Sequence, residues 1–125
     1  MELILIRHAL PVRRELEEGI ADPELSPAGH EQTAHLARYL ATESIHAVYS
    51  SPLQRARQTA APIAADRGLP VTIVDDVAEW DRNSKEYIPA EELKAAGDPR
   101  WKELANGFLD NVEVTPEEFR ARVVA

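Results

Sequence analysis

The chain has 125 residues, 44% of them hydrophobic, and a formal net charge of −8. This length predicts a single domain with a buried core, and the acidic balance disfavours nucleic acids and anionic membranes as partners. The absence of cysteine excludes disulfides, thiolate zinc sites and a cysteine nucleophile. No apolar run in the sequence approaches the ~20 residues that span a bilayer, so we expect a soluble, cytoplasmic protein.

The first elements are a short strand and a helix. Leu3–Ile6 is a continuous apolar run, which is typical of a strand buried on both faces. Ser26 and Pro27 supply a cap and a first-turn proline, and they predict a helix that runs to about Thr42. Its predicted core stripe consists of Leu36, Tyr39 and Leu40.

The pattern then repeats and predicts an α/β fold. A second strand is predicted over His46–Ser50, and Ser51 with Pro52 predicts the start of a helix that ends near Gly68. Val71–Val74 is a third strand. Beyond the irregular stretch 75–89, helical pieces are predicted over 90–96 and from residue 116. Alternating strands and helices favour a parallel sheet with helices packed on both faces.

Polar residues follow each of the three predicted strands. In open α/β sheets, ligands bind beyond the carboxyl ends of the strands, so we expect these residues to converge at one edge. They are Arg7, His8, Ser50, Ser51, Arg55, Glu79 and Asp81.

Three of these residues indicate phosphate chemistry. The imidazole of His8 is able to act as a nucleophile, an acid or a base, and the neighbouring Arg7 offers a planar fork for an oxyanion. Arg55 lies in a first helical turn, where the helix dipole disfavours a cation. An anion held between that helix N-terminus and two arginines resolves this conflict. The alternatives are a hydrogen-bonded structural histidine and a solvated arginine.

A carboxyl group is a further candidate for chemistry. Glu79 follows a strand and precedes Trp80, and an apolar neighbour is expected to raise its pKa and suit it to general acid catalysis. Asp76 and Asp81 compete for the same role. A solvated loop position is the alternative for each of these acids.

Three segments together resemble the histidine phosphatase superfamily, the phosphoglycerate mutase-like branch 1. They are Leu5–Ala9, Leu25–Gly29 and Ser50–Ala60. The resemblance implies a phosphoglycerate mutase-like sandwich over one domain, residues 1–125. It also implies that His8 becomes phosphorylated, Arg7 and Arg55 bind the phosphoryl group, and Glu79 acts as the acid. Neither a metal nor a cofactor is implied.

The sequence departs from the family pattern at two places. Ala9 replaces the usual glycine after the histidine, and a later His-Gly motif is missing, because no histidine follows His46. A helix opens at Pro116 and the chain stops within it. We therefore expect a domain that is incomplete at its C-terminus, without the last strand and helix. An open flank of this kind mildly favours a homodimer.

These features predict a phosphomonoester hydrolase that works through a phosphohistidine at His8, with mutase activity less favoured. The alternative is a catalytically impaired domain that binds phosphorylated ligands without turnover, because the second histidine is missing. The partner in either case is a small phosphorylated molecule or inorganic phosphate. Specificity is expected from the segments 11–24 and 75–96.

Overall fold

A computed structural model describes residues 1–105 and 114–124. The helices in this part of the chain are α1 (Pro27–Tyr39), α2 (Gln54–Ala65), α3 (Ala90–Ala95), α4 (Arg100–Ala105) and α5 (Pro116–Val124), and a 3₁₀ turn covers Asp75–Val77. The strands are β1 (Arg14–Glu15), β2 (Val48–Ser50), β3 (Val71–Ile73) and β4 (Glu86–Tyr87). The chain therefore has an α/β fold.

The strands described here form two small sheets. β2 and β3 are parallel, with Val48 opposite Val71, and they confirm the second and third predicted strands. β1 and β4 are antiparallel, with Arg14 opposite Tyr87. This second sheet was not predicted, and it brings residue 87 beside the segment that follows His8.

The predicted first strand is wrong for this structure. Leu3 and Leu5 are 72% and 85% exposed, and Leu3–Ile6 has no strand assignment. Within residues 1–105 and 114–124 no segment pairs with this run. A strand needs a neighbour to satisfy its backbone N–H and C=O groups, and apolar sequence alone does not supply one.

Helix α1 begins where the sequence predicts. Ser26 accepts a hydrogen bond from the amide of Gly29 at 3.0 Å, and Pro27 is the first helical residue. The helix ends at Tyr39, three residues before the predicted end, and Tyr39 is 82% exposed instead of buried. Leu40, at the C-cap, is buried as expected.

The main core lies where α1 and α2 pack together and α2 covers β2 and β3. Its buried residues are Ala37, Leu40 and Ile63, surrounded by Leu36, Ile45 and Val48. This packing fixes the start of α2 relative to the loop that follows residue 6. Among the described helices, none is long and apolar enough to cross a membrane.

Candidate active site

Side chains of α1 and α2 hold the backbone that follows His8. The Ala9 amide donates to the Thr59 hydroxyl at 2.9 Å, and the Leu10 amide donates to the Gln32 side-chain carbonyl at 2.9 Å. The Ser26 hydroxyl donates to the Leu10 carbonyl at 2.8 Å. Because three side chains bind two consecutive residues, the position of the adjacent imidazole is fixed by the packing of both helices.

The His8 ring is oriented by its own neighbour. Nδ1 lies 2.8 Å from the Ala9 carbonyl oxygen. Since a carbonyl only accepts, this hydrogen bond places a ring hydrogen on Nδ1. Nε2 then faces Glu79, 3.4 Å from Oε1, and the His8 side chain is only 8% exposed. The Glu79 side chain that Nε2 faces is 41% exposed.

Arg55 is the most deeply buried charged side chain among the core residues, at 1% exposure. It donates to Glu79 at 2.7 Å and to Asp81 at 3.0 Å. Two carboxylates thus neutralise the cation that the helix dipole disfavours. Its Nε is buried without a hydrogen-bond partner among the described residues, so this guanidinium keeps unused capacity to donate.

The start of α2 differs from the prediction. The helix begins at Gln54, and the Gln54 amide donates to the Asp22 carboxylate at 2.8 Å. Ser51 is therefore not the cap. Ser50 and Ser51 are buried, and the Ser50 hydroxyl donates to the Ser51 carbonyl at 2.8 Å. These two serines lie in the turn that leads to Arg55. The Asp22 carboxylate, which accepts the hydrogen bond from the Gln54 amide, was not predicted because Asp22 lies 32 residues away in sequence.

Glu79 and Asp81 have opposite pKa shifts. Burial raises the pKa of Glu79, but hydrogen bonds with His8 and Arg55 outweigh it and hold the pKa at about 2. The expectation that Trp80 raises the pKa of Glu79 is therefore wrong for this site, because charged neighbours dominate. Burial raises the pKa of Asp81, and the lowering effect of Arg55 does not cancel it. Of the competing acids, Asp76 is exposed on the 3₁₀ turn.

Tyr87 is a site residue that the sequence did not reveal. Its ring centroid lies 4.4 Å from the Arg55 guanidinium carbon and 6.2 Å from the His8 ring, which it meets edge-on at 68°. Burial raises the pKa of Tyr87, and the positive charges of Arg55 and Arg7 oppose this only partly. Its hydroxyl is therefore neutral near pH 7.

Arg7 does not join this cluster. Its side chain is 65% exposed and lies 3.5 Å from the Glu91 carboxylate. The predicted anion site between two arginines is therefore not assembled here, since Glu91 holds one guanidinium and Glu79 with Asp81 hold the other.

Helix α5 anchors the segment that carries Glu79. The Arg122 guanidinium donates to the backbone carbonyls of Ala78 and Glu79, and α5 packs on the 3₁₀ turn just before them. Over residues 1–105 and 114–124, no group of three or more histidine or acidic side chains is arranged to hold a metal ion. The site is thus a histidine, a buried arginine, two carboxyl groups and a tyrosine.

Comparisons with known proteins show the family of the chain. Residues 3–125 match the histidine phosphatase superfamily (branch 1). The chain is 38% identical over 97 residues to phosphoserine phosphatase 1 of Hydrogenobacter thermophilus, which covers 74% of this chain and 45% of that protein.

Two solved structures are similar in fold. Phosphoserine phosphatase of Entamoeba histolytica, in complex with 3-phosphoglyceric acid, superposes with a TM-score of 0.52 at 30% identity over 80% of this chain and 49% of that one. A mycobacterial glucosyl-3-phosphoglycerate phosphatase, in complex with inorganic phosphate, gives a TM-score of 0.66 at 23% identity over 94% and 56% of the two chains. The chain thus spans about half the length of these proteins. It belongs to branch 1 of the histidine phosphatase superfamily.

Proposed function

We propose that the chain is a phosphomonoester hydrolase in which Nε2 of His8 accepts the phosphoryl group. The observation that carries this proposal is the position of Glu79, 3.4 Å from Nε2 and 2.7 Å from the Arg55 guanidinium. A nucleophile, a carboxyl group and a buried cation therefore share one small site. Relatives named as phosphoserine phosphatases support the same class of reaction.

In the first step, the Nε2 lone pair of His8 forms a bond to phosphorus while the ester P–O bond breaks. The hydrogen bond from Nδ1 to the Ala9 carbonyl keeps this lone pair on Nε2 and directs it toward the site. The electrons of the broken bond go to the leaving oxygen, which takes a proton from Glu79. Positioning and charge stabilisation are the main contributions that phosphoryl transfer requires.

Glu79 becomes an acid only after substrate has bound. In the free site, the hydrogen bonds with His8 and Arg55 hold its pKa at about 2. A phosphate dianion that accepts hydrogen bonds from Arg55 removes the Arg55 bond to Glu79 and adds negative charge beside the carboxyl group. Both changes raise the pKa of Glu79, which takes the Nε2 hydrogen of its hydrogen bond with His8 and leaves the Nε2 lone pair free for the transfer.

The two arginines bind the equatorial oxygens. Arg55 turns from Asp81 and Glu79 to the phosphoryl group, and its unpartnered Nε supplies a further donor. Arg7 leaves Glu91 to bind the phosphoryl group. Breaking this ion pair costs little free energy, because an exposed ion pair contributes only ~0–1 kcal/mol.

In the second step, water attacks phosphorus and gives its proton to the Glu79 carboxylate. The N–P bond breaks, and its electron pair returns to Nε2 of His8. Inorganic phosphate then leaves, Arg55 contacts Glu79 again, and the Glu79 proton returns to Nε2 of His8 in the hydrogen bond between them.

The test is turnover of p-nitrophenyl phosphate by the chain and by two histidine variants. His8→Ala is expected to abolish turnover, whereas His46→Ala, at an exposed position away from the site, is expected to leave it unchanged. Mass spectrometry at alkaline pH during turnover is expected to detect a chain heavier by one phosphoryl group, absent in His8→Ala.

Turnover that survives in pure His8→Ala overturns the proposal. Phosphate binding without turnover or phosphorylation in the unsubstituted chain also overturns it, and supports instead a domain that binds phosphorylated ligands.

A further inference from the structure

We propose that the groove between residues 10–13 and helix α3 binds the leaving group of the phosphomonoester and favours one that carries an ammonium group. This inference rests on the proposed phosphatase function. The groove has a volume of about 490 Å³, within the range of small-molecule sites. Its lining includes Leu10, Arg13, Pro89, Glu91 and Glu92.

Two of the residues that line the groove are connected to the candidate active site. Leu10, in its wall, is two residues after His8 and is held by Gln32 and Ser26. Glu91, also in its wall, is the residue that pairs with Arg7. We infer from these two connections that the organic part of a phosphomonoester at His8 extends into this groove.

Substrate binding changes the charge of the groove. When Arg7 turns to the phosphoryl group, the Glu91 carboxylate loses its 3.5 Å partner. Glu91 is then an unpaired negative charge in the wall. An ammonium group on the leaving group takes the place of Arg7 on Glu91, whereas a carboxylate there meets a like charge.

The basic residue of the groove does not reverse this preference. Arg13 is held by Glu15 at 2.9 Å and by Glu92 at 3.5 Å, so its charge is already balanced by two carboxylates. Apart from Ser26, the remaining wall is apolar, with Leu10 and Pro89 available to the carbon atoms of a ligand. The groove therefore presents negative charge on an apolar wall.

The experiment compares two phosphomonoesters of similar size, O-phosphoethanolamine and 2-phosphoglycolate, which differ in the charge of the leaving group. Affinities are measured from the rise in melting temperature with concentration. We expect O-phosphoethanolamine to bind about fivefold more tightly than 2-phosphoglycolate, because this ratio corresponds to the free energy that one exposed ion pair contributes. Glu91→Gln is expected to abolish the preference, and Glu43→Gln, at an exposed turn beyond α1, is expected to retain it.

Turnover of p-nitrophenyl phosphate, measured in parallel, separates the two proposals. Equal affinities, tighter binding of 2-phosphoglycolate, or a preference that persists in Glu91→Gln overturns the present inference whatever the turnover. Absence of turnover with the preference intact overturns the phosphatase function and leaves the charge selectivity of the groove established.

Discussion

The ring of Tyr87 lies over the guanidinium of Arg55, with 4.4 Å between the ring centroid and the guanidinium carbon. The same ring meets His8 edge-on. Tyr87 is held there by the pairing of β4 with β1, in which it lies opposite Arg14. One aromatic ring thus contacts both the candidate nucleophile and the candidate phosphate-binding cation.

Removing this ring is expected to weaken phosphate binding. A cation–π contact contributes ~0.5–2 kcal/mol, which corresponds to a roughly two- to thirtyfold loss of affinity for Tyr87→Leu. Tyr87→Phe keeps the ring and is expected to bind phosphate nearly as well as the unsubstituted chain. Calorimetric titration with inorganic phosphate measures both.

Tyr39→Leu is the matched control, because Tyr39 is 82% exposed at the end of α1. Unchanged phosphate affinity in Tyr87→Leu contradicts the role given to the ring.

Neutralising Asp81 is expected to stabilise the fold near pH 7. The pKa of Asp81 is raised by burial and by Glu79, so the folded chain holds this proton more tightly than the unfolded one. The stability that the protonated form of Asp81 contributes is fully present below pH 3.8, the ordinary pKa of an aspartate. It is lost as the pH rises through the pKa that Asp81 has in the folded chain. Asp81→Asn mimics the protonated acid and is expected to raise the melting temperature at pH 7.

The rise in melting temperature caused by Asp81→Asn is expected to become smaller as the pH falls toward 3.8, because the Asp81 side chain of the unsubstituted chain also becomes neutral there. Asp76→Asn, on the exposed 3₁₀ turn, serves as the control and is expected to show no such gain. A lower melting temperature for Asp81→Asn at pH 7 contradicts this account.

Glu79 is expected to give the opposite pH dependence. Its pKa is depressed from 4.5 to about 2, so its ionised form stabilises the fold above pH 4.5, and this contribution is lost as pH falls toward 2. Glu79→Gln is therefore expected to melt below the unsubstituted chain at pH 7. The difference narrows between pH 4.5 and 2, and thermal scans across this range measure it. A difference independent of pH excludes the charge as its cause.

The sequence predicted the parts of the fold that depend on local signals. Ser26 and Pro27 predicted the start of α1, and short apolar runs predicted β2 and β3. The rule that polar residues converge at the carboxyl ends of strands placed Arg55 and Glu79 together, and the structure brings them to 2.7 Å. Each of these inferences needed only periodicity, caps or topology.

Long-range contacts decided the rest. Tyr87 reaches the site through a two-residue strand, which is too short to carry a periodic signal. Asp22 replaces Ser51 at the start of α2 from 32 residues away. The exposure of Leu3–Ile6 depends on which strands pair with it, and the low pKa of Glu79 depends on His8 and Arg55, which are distant in sequence.

Gly29 shows how α1 controls the nucleophile, because its backbone packs directly on the segment after His8. A Cβ at this position would overlap the carbonyl oxygen of Leu10 and lie 3.2 Å from the Leu25 Cβ. That carbonyl already accepts hydrogen bonds from the Ser26 amide and hydroxyl at 2.9 and 2.8 Å. Because of these hydrogen bonds, we expect the Leu10 backbone to shift little when a Cβ is added at position 29.

Gly29→Ala is therefore expected to destabilise the chain by about 1–3 kcal/mol, as overpacking does. Helix propensity alone predicts the reverse, a gain of ~1 kcal/mol, so the sign of the change distinguishes the two effects in urea unfolding. His30→Ala, at the exposed neighbouring position, is expected to stay within about 0.5 kcal/mol of the unsubstituted chain. A more stable Gly29→Ala would mean that the Leu10 segment moves freely, and that α1 does not fix the position of His8.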